Sequence, residues 1–121
     1  MTDEVIEIGG LRVLACAVEG PTLARAGDVS DFISAAWEHE ATLVTIPVER
    51  LADDFFRLRT GLAGEAIQKL VNYRIGLAVV GDIARFVEAS TPLRDFVNES
   101  NRGHHVWFVG DMAELTGRLS R

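Results

Sequence analysis

Four short apolar runs constrain this chain most: "LRVLACAV", "ATLVTIPV", "IGLAVVGD" and "HHVWFVGD". Each is brief and bounded by turn or helix signals, and "ATLVTIPV" is rich in β-branched residues, as expected for strands that are largely covered. Between them lie stretches whose apolar residues recur every three to four positions. Val29, Phe32, Ile33, Ala36 and Trp37 predict a helix over Val29–Glu38, with Asp28 placed to cap it. Leu62, Ala66, Ile67, Leu70, Val71 and Arg74 line one face of a second helix, and Glu65, Gln68, Lys69 and Asn72 line the other. "TPLRDFVNESNRG" reads as a helix opened by Ser90 or Thr91, with Pro92 at its first position and Gly103 as a positive-φ cap. Asp111 and Glu114 stand in capping-box spacing at the head of "MAELTGRLS". Ahead of all this, "EVIEI" and "LRVLACAV" flank Gly9-Gly10, which predicts a hairpin. A hairpin followed by alternating helices and strands implies an α/β fold, a mixed and mostly parallel sheet with helices packed on it.

Composition sets the outer bounds. With 121 residues, 48% hydrophobic and 25% charged, the chain fits one globular domain, residues 1–121, with no disordered tail. A net charge of −6 disfavours nucleic acid and anionic membrane as partners. The opening "MTDEVIEIGG" lacks a signal core and no apolar run spans a bilayer, so a cytoplasmic location is expected. The single cysteine, Cys16, falls mid-strand in an apolar run and reads as a buried core thiol.

Chemistry in open parallel sheets gathers beyond the carboxyl ends of the strands. The loops "PVERLADDFFRLRTG", "VVGD" and "FVGD" leave such ends and would place Arg57, Arg59, Thr60, Asp82 and Asp111 on one edge. Within "RTGLAGE", Thr60 and Gly61 occupy the N-cap region of the second helix, where free amides and the helix dipole favour an anion, with Arg57 or Arg59 as charge partners. The structural alternative is that Thr60 only caps, Gly61 and Gly64 permit close packing, and the arginines pair with Asp53, Asp54 or Glu65. Asp82 and Asp111 could serve a metal or a proton transfer, or simply cap the helices that follow. His104 and His105, adjacent at the start of a strand, are poorly placed to share a metal, and no metal or cofactor is expected. No nucleophile elbow or triad spacing is present, so the sequence offers no enzyme signature.

The segments "FFRLRTGLAGE", "QKLVNYR" and "ESNRG" resemble the bacterial family catalogued as domain of unknown function 4180, over most of the chain. Thr60, Gly61, Gly64, Gln68, Asn72 and Asp82 are among the positions that match its pattern; the resemblance implies no activity. More distantly, the order of elements and "RTGLAGEAI" are similar to STAS domains of anti-sigma factor antagonists, where a phosphorylated serine sits at a helix N-terminus. That resemblance implies Thr60 as the phosphoacceptor position, although Arg59 stands where a small residue is usual and the preceding loop is longer.

The leading expectation is a non-enzymatic, STAS-like regulatory or protein-interaction module. Its docking surface would comprise the Arg57 to Glu65 loop and the helix face carrying Gln68 and Asn72, offered to an unidentified protein partner. The alternative is a domain, or weak enzyme, that binds an anionic small ligand such as a nucleotide or phosphometabolite at the carboxyl edge of the sheet. A homodimer formed through the hairpin edge or an apolar helix face is the third possibility.

Overall fold

The computed structural model describes residues 3–120. Five strands form one sheet in the order β1-β2-β3-β4-β5, which is also chain order. β1 (Glu4–Ile8) and β2 (Leu11–Ala15) are the predicted hairpin, and Gly9 and Gly10 take φ values of 57° and 82° at its turn. Both central positions of this tight turn require positive φ, which glycine adopts without a Cβ penalty. β3 (Leu43–Pro47), β4 (Gly76–Val80) and β5 (Val106–Val109) then add in parallel, one after another.

Adding strands in one direction through right-handed crossovers puts every crossover on the same face. That face carries α1 (Val29–Glu38), α2 (Leu62–Asn72), α3 (Ala84–Ala89) and α4 (Thr91–Arg102) over the inward side chains Leu14, Val44, Ile46, Leu77, Val79 and Phe108. The other face is covered by α5 (Met112–Leu119), whose Leu115 is fully buried against Ile8, Val13, Leu43, Ala78 and Val109. α5 ends against the hairpin: a Cβ on Gly9 would stand 2.1 Å from the Leu119 carbonyl oxygen.

Several local expectations need correction. Asp28 does not cap α1: its Oδ2 accepts from the Ala24 and Arg25 amides at 2.9 Å each, closing the turn before the helix. Those two backbone donors hold its carboxyl below the usual range. Gly103 ends α4 at φ −92°, so it is not a positive-φ cap. Cys16 lies just past β2, though its amide still reaches the Thr45 carbonyl at 3.0 Å. Trp37 belongs to the periodic set of α1 yet is 63% exposed. α3, which no periodicity announces, is a further element between β4 and α4.

Along β5, Asn101 of α4 mimics a neighbouring strand: its Oδ1 accepts from the Phe108 amide at 2.7 Å and its Nδ2 donates to the Phe108 carbonyl at 3.3 Å. One side chain thus occupies both backbone groups that Phe108 turns away from β4, which blunts the edge.

Candidate functional site

The chain leaving β3 is first anchored and then turned outward. Arg50 is buried, and its guanidinium donates to the Ala17 and Pro21 carbonyls at 2.9 Å each. Leu23 and Leu51 pair beside it, so the loops after β2 and β3 are tied together. Phe55 and Phe56 then enter the core on a short 3₁₀ turn (Asp53–Phe56), leaving Arg57 and Arg59 to splay into solvent. Thr60 closes the next turn (Leu58–Thr60). Its Oγ1 lies 2.8 Å from both the Asp54 and Arg57 carbonyls, which share its one hydrogen, and accepts from the Leu62 amide at 3.2 Å.

Facing this turn is α3. Asp82 closes the turn into it by accepting from the Ala84 amide at 2.9 Å, and Phe86 stacks on Phe56 with centroids 4.3 Å apart and planes 15° from parallel. Arg85 lies over the other side of that stack, its Cζ 4.1 Å from the Phe86 centroid. Between the turn and α3 opens a cleft of about 650 Å³, lined by Asp53, Phe56, Arg57, Leu58, Arg59, Arg85, Phe86, Ala89, Ser90 and Pro92. The size is ordinary for a small-molecule site, and the lining mixes an apolar floor with three guanidinium groups. Asp54 meets Arg57 at 3.0 Å and Asp53 meets Arg85 at 3.4 Å, both in exposed pairs of small energetic weight. Among the described residues, no carboxylate forms an ion pair with Arg59.

The structure brings Arg57 and Arg59 together at this cleft and leaves other predicted residues elsewhere. Gly61 (φ 77°) precedes α2, but its amide is donated to the Leu58 carbonyl at 3.1 Å and it does not line the cleft. The Gly61 amide is thus already satisfied within the turn, and the Arg57 and Arg59 side chains are what reach the cleft. Gly64, Glu65, Gln68 and Asn72 are exposed along α2, where Gln68 donates to Asn72 at 2.9 Å. Asp82 borders a separate hollow of about 410 Å³ with Gly110 and Glu114. Its neighbour there, Glu114, accepts from the Gly110 amide at 3.0 Å, while Asp111 caps α5 by accepting from the Glu114 amide at 2.8 Å. Asp111 thus caps its helix, whereas Asp82 lies one residue before the Ile83 N-cap of α3 and only closes the turn into it; no group of three or more His, Cys, Asp or Glu side chains is placed to hold a metal among the described residues.

Arg85 and Phe86 have no counterpart among the residues expected at the site, and Ser90 and Pro92 are expected only as the start of α4. The available signal was the Asp82-x-Ala84 start, which marks "ARFVEA" as a helix and turns Arg85 toward the loop before α2. Cys16 is unsuited to chemistry, since burial above all, with Asp3 nearby, raises its thiol to about 12.

Among the described residues no helix is long and apolar enough to cross a membrane. Comparison with curated proteins and with solved structures gave no match. A family model does match, over residues 8–119, and the chain belongs to that family, described as Domain of unknown function (DUF4180).

Proposed function

For this member of a family defined without an activity, we propose that the domain binds an anionic small molecule in the cleft between the Asp53–Thr60 turns and α3. The observation that carries the reading is Arg59, a guanidinium with no ion-pair partner among the described residues, at a concave and partly apolar site in a chain of net charge −6. Arg57 and Arg85 flank it, each loosely held by an exposed aspartate that an incoming phosphate or carboxylate would displace at little cost. Leu58, Ala89 and Pro92 offer apolar lining beside that charge, which suits a ligand with both an anionic head and an apolar body, such as a nucleotide or phosphometabolite.

Thermal denaturation at fixed ionic strength against inorganic phosphate, pyrophosphate, nucleotides and phosphometabolites tests this. A ligand at a hundredfold its Kd stabilises the native state by about 2.7 kcal/mol. The stabilisation should saturate and be lost in Arg59→Ala, which leaves the unliganded midpoint unchanged. A flat response across the panel, or one that Arg59→Ala retains, would reject the site.

A second reading, a STAS-like regulatory module, draws on Thr60. Its exposed side chain pins the turn bearing Arg57 and Arg59, so phosphorylation would remove the donated hydroxyl hydrogen and add about −1.5 to −2 charges beside the arginines. The polar face of Glu65, Gln68, Lys69 and Asn72 would then be the docking surface. Under this reading Thr60→Glu alters binding to a protein partner while Thr60→Ser does not.

A further inference from the structure

At the opposite end of the sheet from the arginine cleft, α1 and α2 finish side by side, and they finish in the same way. The Ala41 amide reaches back to Ala36 at 2.8 Å and the Glu40 amide to Trp37 at 3.1 Å; likewise Ile75 reaches Leu70 at 2.9 Å and Arg74 reaches Val71 at 2.9 Å. Each is a Schellman closure with its left-handed position filled by a non-glycine residue, Glu40 at φ 57° and Arg74 at φ 59°. Buried Ala41 and Ile75 fasten both ends to the core.

This rigid pair of helix ends brings Trp37 against Tyr73, with centroids 6.0 Å apart and ring planes at 86°. Neither ring serves the core: Trp37 is 63% and Tyr73 52% exposed. They border a groove of about 530 Å³ whose remaining lining is Ser30, Ile33, Ser34 and Glu38. Glu38 is the one charged side chain in that lining. The negative ends of two helix dipoles also meet here, at the end of the molecule where both α1 and α2 stop. The nearby cations stand outside the lining, although Arg12 is bonded at the end of α1 itself. Arg12 donates its Nε to the His39 carbonyl at 2.6 Å, Arg74 borders a neighbouring hollow with His104 and His105, and Lys69 is exposed on α2.

Two perpendicular aromatic rings and a carboxylate select for a cation. We propose that the Trp37–Tyr73 groove docks an arginine side chain presented by a protein partner. A guanidinium is planar and weakly hydrated, so it stacks on the indole while its edge donates to Glu38; a lysine ammonium satisfies only one of those contacts at a time. Exposed Trp and Tyr at such a site are the residue types that dominate binding energy at interfaces. A second copy docking through the same face would set Glu38 against Glu38 and negative helix ends against each other, which disfavours self-association there. The groove is independent of the anion cleft, so either assignment can fail alone.

The test is an NMR titration of the Trp37 indole N–H in the full chain at fixed ionic strength, with the Trp107 indole, which donates to the Gly103 carbonyl at 2.9 Å, as internal reference. Capped Gly-Arg-Gly should shift the Trp37 signal saturably and more tightly than Gly-Lys-Gly, while Gly-Leu-Gly and Gly-Glu-Gly leave it unmoved. Glu38→Gln and Tyr73→Ala should each weaken the arginine peptide about three- to fivefold. Both residues are exposed, so both variants keep the fold. Three results would overturn the proposal: no saturable shift with the arginine peptide, an equal shift with the leucine peptide, or concentration-dependent dimerisation in sedimentation that Trp37→Ala abolishes.

Discussion

Arg50 and Gly20 form a coupled pair whose energetics can be worked from geometry. Arg50 is 7% exposed, donates from Nε to Pro21 and from Nη1 to Ala17 at 2.9 Å each, and lies with its Cζ 5.1 Å from the Phe32 centroid. A hydrogen bond from a charged donor contributes about 1.5–3 kcal/mol, and the partly exposed carbonyls recover some of that from water, so Arg50→Ala should cost about 3 kcal/mol. Gly20 abuts the same guanidinium: a Cβ there would stand 2.6 Å from Cζ and 2.8 Å from Nη2, at φ +147°. Gly20→Ala therefore carries two costs, backbone strain of about 1–2 kcal/mol and displacement of Arg50 from its carbonyls. In an Arg50→Ala background only the strain remains. The double-mutant cycle should show a coupling of about 1.5–2 kcal/mol, with Gly20→Ala markedly less harmful when Arg50 is already gone. Urea denaturation of the four proteins, followed by far-UV circular dichroism and compared at a common m-value, measures it. Additivity within about 0.5 kcal/mol would show that the guanidinium does not hold the two loops together, and would refute the reasoning.

Asn101→Ala should cost about 2–3 kcal/mol in the same assay, because it strands both the amide and the carbonyl of Phe108. It also opens the β5 edge, so self-association should rise in light scattering. The Cys16 thiol, pushed up to about 12 from 9.0, binds its proton more tightly in the folded chain than in the unfolded one. Its contribution is therefore fully present below pH 9 and falls above it by about 1.4 kcal/mol per pH unit, toward a floor near pH 12. The difference in urea stability between wild type and Cys16→Ala should be constant from pH 7 to pH 8.5 and shrink between pH 9 and pH 10.5; a constant difference throughout would place the thiol in contact with water.

What depends only on neighbours along the chain is set locally. The short apolar runs became β2 to β5 and the Gly-Gly turn closed the hairpin, because strand and turn chemistry act over a few residues. The bounds of α1 at Val29–Glu38, the Ser90 start of α4 and the Asp111 start of α5 were legible for the same reason. Asp28 has the residue type of a cap but does not act as one, because a cap is set by the backbone angles of the entering chain, and here the chain enters already helical, at φ −66° and ψ −20°. Helix α3, six residues long, has too few turns for a periodicity to announce it. Nothing local pairs Arg59 with Arg85, which meet across one cleft only because β3 and β4 are neighbours in the sheet. Trp37 shows the same limit from the other side. Its spacing places it on the apolar stripe of α1, but only packing decides how wide a stripe is covered, and α2 ends too soon to cover it. Local periodicity determined the elements; the stepwise addition of strands in one direction, which stacks the crossovers on one face, decided which side chains meet and which remain open to a partner.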